Sequence, residues 1–283
     1  MSLDKFISQT GQDQWATVNT GRKRNGIYVD IGAHDGKLIS NTHYLDHAMG
    51  WIGLCVEANP KSCAMIGNNR TARCIPVEAA LYHTAGQELS FRDCSVGGGF
   101  ESLQTHSFGK YGLINVKTQT IDTVLQKYLP IHKNIDFMTV DIEGAELDML
   151  KKFPFNTYRI GTLVIGHNGD MIVREKMSEI LTANGMVHTE DVSADAYYVH
   201  KDYDCNIGQF VTPGTTGGLP SVTHQRDLET PPEAAAFREC QFQAHKLTGH
   251  THHLGRFTNG NGWLQDVRQH DRSILTTQAK EFR

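Results

Sequence analysis

Between residues 26 and 200 short β-rich runs alternate with helical stretches, and this alternation restricts the possible folds more than any other feature of the chain. Strand-like runs fall at 26–30, 51–57, 73–77, 135–140, 160–165, 185–188 and 196–200. Helical stretches fall at 40–49, 60–67, 143–151 and 172–183, and Pro60 suits the first turn of its helix. The residues between 77 and 135 read as turn-rich. Strands separated by helices must return in the same direction, so the expectation is an α/β fold: a mostly parallel sheet with helices on both faces.

From Cys205 onward the character changes. Pro213, Pro220, Pro231 and Pro232 crowd into this part, 214–218 reads as a flexible Gly-Thr connector, and a helix is expected at 232–247. The chain is therefore divided into a domain at 1–204 and a C-terminal appendage of unknown role at 205–283. His245, His250, His252 and His253 in that appendage lack a closed metal-ligand spacing, and Phe257 and Trp263 read as packing residues.

Hydrophobic residues make up 39% of the 283, and the 27 glycines bring the apolar share to about half, which excludes a disordered chain. No run is long and apolar enough for a membrane span, and the first residues lack the apolar core of a signal peptide. A net charge of −4 leaves no basic footprint for nucleic acid. The six cysteines, Cys55, Cys63, Cys74, Cys94, Cys205 and Cys240, are scattered and read as reduced thiols. A cytoplasmic protein is expected.

In an open parallel sheet, ligands bind at the carboxyl ends of the strands. The first strand runs into Asp30-Ile-Gly-Ala-His-Asp-Gly36, where Gly32 and Gly36 permit a tight turn, and the second ends in Glu57. An acid at that distance accepts hydrogen bonds from ribose hydroxyls in nucleotide-binding folds. Two cofactors compete. A nicotinamide dinucleotide needs Gly-x-Gly-x-x-Gly to rest its diphosphate on a helix N-terminus. This chain has Gly-x-x-x-Gly with Asp30 and Asp35 alongside, charges that repel a diphosphate and suit the cationic S-adenosylmethionine.

Tyr28-Val-Asp-Ile-Gly-Ala-His-Asp-Gly36, Ser40-Asn-Thr42, Trp51-Ile-Gly-Leu-Cys-Val-Glu-Ala-Asn-Pro60, Thr120-Ile-Asp-Thr-Val-Leu125 and Ile135-Asp-Phe-Met-Thr-Val-Asp-Ile-Glu-Gly-Ala-Glu146 resemble the FkbM family of S-adenosylmethionine-dependent methyltransferases. Ile7-Ser-Gln-Thr-Gly-Gln-Asp13 is similar to the segment that often precedes that family's first strand, and the resemblance covers residues 6–200. It implies a Rossmann-like class I methyltransferase fold with a seven-stranded sheet, and transfer of a methyl group to a hydroxyl of a sugar-like or natural-product acceptor.

Carried over by position, Asp30, Gly32 and Gly36 would cradle the amino-acid half of the cofactor and Glu57 the ribose. Asn59 would lie near the adenine, Asp141 over the methionine moiety, and Ser40, Asn41 and Thr42 would close the pocket. Ala33, His34, Asp35, Ala58 and Ile142 complete the expected cofactor-binding set. Two positions depart from the family pattern: His34 stands where Asn is usual, and Gly166 replaces the glutamate of a Glu-His-Asn-like trio.

Methyl transfer to an alcohol is helped by a base that takes its proton. Asp141, His167, His34 and Glu143 are the candidate catalytic residues, whereas Glu146 also reads as an acid favouring a helix start. Asp141, His167 and Asn168 offer a weaker alternative as Mg²⁺ ligands, and no metal is expected. The Gly-rich loop 94–103 is a candidate gate to the acceptor pocket. The partner expected is a small-molecule or glycan acceptor, with no nucleic acid and no membrane, and with a homo-oligomer left open. Methylation of a small amine and cofactor binding without catalysis remain the alternatives.

Overall fold

A computed structural model describes residues 5–93, 98–100, 103 and 112–211. Helix α1 (Gln12–Asn19) precedes β1 (Ile27–Ile31), followed by α2 (His43–His47), β2 (Ile52–Glu57), α3 (Pro60–Asn69) and β3 (Cys74–Glu78). Next come β4 (Ala80–Leu81), β5 (Glu88–Asp93), β6 (Gly99–Phe100) and β7 (Gly112–Gln119). After them lie α4 (Ile121–Tyr128), β8 (Asn134–Val140), α5 (Glu146–Leu150), β9 (Arg159–Gly166) and α6 (Met171–Ala183). Strands β10 (Met186–Val192), β11 (Asp195–His200), β12 (Tyr203–Asp204) and β13 (Gln209–Phe210) finish the described chain.

Seven strands form one sheet in the order β10-β11-β9-β8-β1-β2-β3. Only β11 runs against the others, pairing antiparallel with both β9 and β10. This is the expected Rossmann-like, mostly parallel sheet. Residues alternate between its faces, as the two-residue strand period requires. Val29, Ile31, Leu54 and Val56 enter one core with Met138, Leu125 and Leu181, while Tyr28, Cys55 and Phe137 enter the other with Trp15 and Trp51. The helices are capped locally: the Asn59 side chain accepts from Lys61 N at α3, and Asp170 accepts from Ile172 N and Val173 N at α6.

Four differences from the sequence reading stand out. The residues taken as turn-rich hold a second sheet, ordered β4-β7-β5-β6, whose strands are too polar to show an apolar alternation. Helices α1 and α4 were not foreseen; α1 is buried through polar residues, with Thr17 Oγ1 donating to Asp13 O and Asn19 Nδ2 to Trp15 O. The helix expected at 40–49 is confined to His43–His47, since Ile39 turns the chain at φ 47°. The helix expected from 143 begins at Glu146, because Glu143 and Gly144 adopt φ of 55° and 111°.

Tyr203 and Cys205 are buried against the second core, so the described body continues past residue 204 to 211. The expected features of the appendage beyond 211, its helix, histidines and aromatics, lie outside the described residues. Cys55, Cys63, Cys74 and Cys205 are free and buried. Among the described residues no helix is long and apolar enough to cross a membrane.

Candidate active site

A cavity opens over the carboxyl ends of β1, β2 and β8, where the strand order runs outward in both directions. Asp30, Gly32 and His34 line it from the end of β1, Glu57 and Asn59 from β2, and Asp141 and Glu143 from β8. Ala79, Ala80, Leu81 and Phe91 add an apolar wall, and Gln9 and Gln12 reach in from the N-terminal segment. Among its described lining residues there is no Lys or Arg, whereas Asp30, Glu57, Asp141 and Glu143 are all carboxylates.

Glu57 is held on both oxygens. His34 N donates to Oε2 at 2.8 Å and Asn59 N to Oε1 at 2.7 Å. Each oxygen keeps a further lone pair for a donor inside the cavity, which suits a pair of vicinal hydroxyls. Burial raises the pKa of this carboxyl, and the backbone bonds oppose that rise.

Asp30 is engaged from the protein side. Thr42 Oγ1 donates to its Oδ2 at 2.5 Å, and Arg70 Nη2 stands 3.3 Å from the same oxygen. The same guanidinium donates from Nε to Gly36 O at 2.5 Å, and from Nη2 to Ser40 Oγ at 2.6 Å and Thr42 Oγ1 at 2.8 Å. One buried cation thus ties residues 36–42 to the end of β1. Asp35, Gly36 and Thr42, expected in the cofactor set, are not among the residues that line the cavity. Asp35 instead accepts from Lys37 N and Leu38 N at 2.8 Å. Burial pushes its carboxyl up, but bonds from the His34 side chain and these two amides hold it down at about 2.

The glycines work differently from the expectation as well. Gly32 has φ 86°, and a Cβ there would stand 1.8 Å from the carbonyl oxygen of Asp141. Gly36, at φ 80°, faces Arg70 and Ile66. Both glycines let the protein approach itself. The turn also offers no cluster of open amides: Gly32 N and Ala33 N donate to Val56 O, His34 N to Glu57, and Gly36 N to Ala33 O. No helix starts until His43. These four amides are not open to a diphosphate, and no helix begins at the turn to offer its dipole.

At the end of β8 the backbone is shaped by Glu146, a buried side chain whose Oε1 accepts from Ile142 N and Oε2 from Gly144 N, both at 2.9 Å. Burial pushes Glu146 up to about 7. Asp141 is accessible in the cavity it lines, yet the protein packed around it, with the charge of Asp30 adding, pushes its carboxyl up to about 6. Glu143 is raised well above the usual carboxylate range by burial, with Asp141 the next cause.

His34 lines the cavity, with Nδ1 3.6 Å from Asp35 Oδ1. His167 does not line it. A Cβ on Gly166 would lie 3.7 Å from both Asp141 Oδ1 and Asp195 Oδ1, so position 166 faces the site and the next residue turns away. His167 is buried, and burial lowers its pKa. Asn59 lines the cavity, but its side chain is spent on Lys61 N and on Asp93 Oδ1 at 2.6 Å. Among the described residues no three His, Cys, Asp or Glu side chains are arranged to hold a metal ion.

A family model described as the methyltransferase FkbM domain matches residues 30–188. The chain belongs to this family. Among solved structures, this FkbM methyltransferase is similar to Aeropyrum pernix fibrillarin in complex with natively bound S-adenosyl-L-methionine, at 11% identity and TM-score 0.42, covering 70% of this chain and 76% of that one. A human methyltransferase 10 domain containing protein matches at 10% identity and TM-score 0.42, covering 68% and 80%. A TehB-like SAM-dependent methyltransferase from Corynebacterium glutamicum matches at 13% and 0.39, covering 68% and 88%. No curated protein matches the chain in a sequence comparison.

In this FkbM methyltransferase the structure brings Asp30, Gly32, Ala33, His34, Ser40, Asn41, Glu57, Ala58, Asn59, Asp141, Ile142 and Glu143 to one cavity. Sequence reasoning missed Arg70, Gln12, Phe91 and Asp195. Arg70 follows α3 with no motif around it, and Asp195 opens β11 straight after a turn. Gln9 and Gln12 had a signal, since both fall in the Ile7–Asp13 segment that was noted without a role. Of the Gly-rich loop, Gly98 lines the cavity and Gly99–Phe100 forms β6; residues 94–97, 101 and 102 lie outside the described residues.

Proposed function

We propose that this FkbM methyltransferase takes its methyl group from S-adenosylmethionine and transfers it to a hydroxyl of a small-molecule or glycan acceptor. The observation that carries the cofactor is the cavity's chemistry: an acid with two fixed acceptor oxygens at one end, acids at the other, and no Lys or Arg among the described lining residues. Glu57 would accept from the ribose hydroxyls. The wall of Ala79, Ala80, Leu81 and Phe91 suits the adenine faces. Asp141 and Glu143 would face the positive sulfur. When bound, the cofactor supplies an electrophilic methyl group on a sulfonium.

The protein's part is to align the acceptor oxygen with that methyl and to receive a proton. Alignment alone is worth several kcal/mol. The carboxyls raised around the site, Asp141 to about 6 and Asp195 to about 7, give it groups basic enough to receive a proton at neutral pH. This suits a hydroxyl acceptor, which is a poor nucleophile while it keeps its proton. The net charge of −4 supports a small or glycan acceptor over a nucleic acid.

The test is incubation with S-adenosylmethionine labelled in its methyl group and a panel of glycosides, polyols, small amines and total RNA. Alkali-stable label on hydroxyl compounds is expected. Label on the amines or the RNA in their place would overturn the acceptor assignment.

A further inference from the structure

Beyond β1 the sheet runs β8, β9, β11, and so away from Glu57. With the ribose at Glu57, the sulfur end of the cofactor lies toward β8, and the acceptor must come from the β9 and β11 side. On that side one strand end carries no side chain. Gly166, the last residue of β9, has no side chain, and it is paired in register with Asp195, the first residue of β11. A Cβ there would stand 3.6 Å from Val140 O and 3.7 Å from both Asp141 Oδ1 and Asp195 Oδ1.

Asp195 is fixed in place. Gln12, itself buried and lining the cavity, donates from Nε2 to Asp195 Oδ2 at 2.9 Å, and its Oε1 accepts from Thr10 N at 2.7 Å. The amide is therefore used at both ends and holds one carboxylate oxygen, and the Thr10 side chain adds a second bond to the same carboxylate. Asp195 stands one step behind the cavity lining, with Gln12 and Asp141 between it and the β1 turn.

We propose that the acceptor's nucleophilic oxygen meets the methyl group beside Gly166 and that Asp195 is the group that takes its proton. In that step the oxygen forms a bond to the methyl carbon and the carbon–sulfur bond breaks. The bonding pair returns to sulfur as a neutral thioether, and the hydroxyl proton passes to the Asp195 carboxylate. Asp195 is suited to this because burial, with the charge of Asp141 adding, pushes it up to about 7, against bonds from Gln12 and Thr10 that lower it. The inference rests on the cofactor and hydroxyl acceptor proposed above.

Two cofactor analogues test it without an acceptor. S-Adenosylhomocysteine is neutral where the methyl is carried, and sinefungin bears an ammonium there. The wild-type protein is expected to prefer sinefungin by about tenfold in calorimetric titrations, because two carboxylates face that position. Asp195→Asn, which can still accept from Gln12, is expected to reduce the preference about fivefold while leaving S-adenosylhomocysteine affinity within about twofold. Asp195→Glu is expected to keep it. An unchanged preference in Asp195→Asn, or an equal loss of both ligands, would overturn the role of Asp195 and leave the cofactor assignment standing. Failure of the wild type to bind either analogue would overturn both.

Discussion

Arg70 and Asp30 form a buried ion pair, Nη2 to Oδ2 at 3.3 Å, with side chains 1% and 6% exposed. Two charges so far from water need further hydrogen bonds; Ser40, Thr42 and the Gly36 carbonyl supply them to Nε and Nη2, while Nη1 is buried without a partner among the described residues. The pair makes the loop that bounds the cavity dependent on a residue that contributes nothing to the cavity wall.

Arg70→Met leaves Asp30 buried without its counter-charge, and a loss of about 3–5 kcal/mol is expected in urea unfolding. Adding Asp30→Asn should recover part of it. A double variant no more stable than Arg70→Met alone would show that the two residues are not coupled.

Gly32 and Gly86 share nearly the same backbone, φ 86° and 84°, but only Gly32 is crowded. Gly86→Ala meets nothing within 4 Å and should cost about 1–2 kcal/mol from the left-handed conformation alone. Gly32→Ala drives a Cβ against the Asp141 carbonyl, so thermal melts should show a far larger loss or no folded protein. Equal effects at the two positions would contradict the close approach of β1 to β8.

Glu146 gives the stability a pH dependence with a defined sign. Its carboxyl is raised from 4.5 to about 7 by burial, so the folded chain holds that proton more tightly than the unfolded chain. The stabilising effect of the proton is present near pH 4.5 and is lost as pH rises through about 7. Its size is on the order of 3 kcal/mol. The melting temperature should therefore fall between pH 5 and 8, and less steeply in Glu146→Gln. An identical slope in that variant would place the titration elsewhere.

Much of the sheet was legible because it depends on patterns that survive in one dimension. The runs that became β1, β2, β8 and β9 are apolar on both faces, and their ends carry Asp30, Glu57 and Asp141 where a parallel sheet must present them. The second sheet was illegible for the opposite reason: half of β7 is exposed and its side chains do not alternate by polarity. Within the site, what failed was orientation. Asp35, Gly36, Thr42 and His167 are all beside the right strands, but a turn at Gly32, the Arg70 tether and the alternation after Gly166 point them elsewhere. Arg70 and Asp195 were missed because their neighbours in space, Asp30 and Asp141, are 40 and 54 residues away along the chain.

Glu57 is the residue whose change should separate cofactor affinity from folding. Glu57→Gln keeps the size of the side chain and an acceptor for one backbone amide, and should weaken S-adenosylhomocysteine binding by about 1–3 kcal/mol with unfolding little changed. Unaltered affinity would remove the ribose from that position.

Calorimetric titration of the wild-type protein with S-adenosylhomocysteine and, separately, with a nicotinamide dinucleotide is the most direct measurement. The cavity's acids, and the backbone amides already spent inside the protein, require one-to-one binding of the nucleoside and none of the dinucleotide. Binding of the dinucleotide with no response to S-adenosylhomocysteine would contradict a pocket built for a cationic sulfur cofactor.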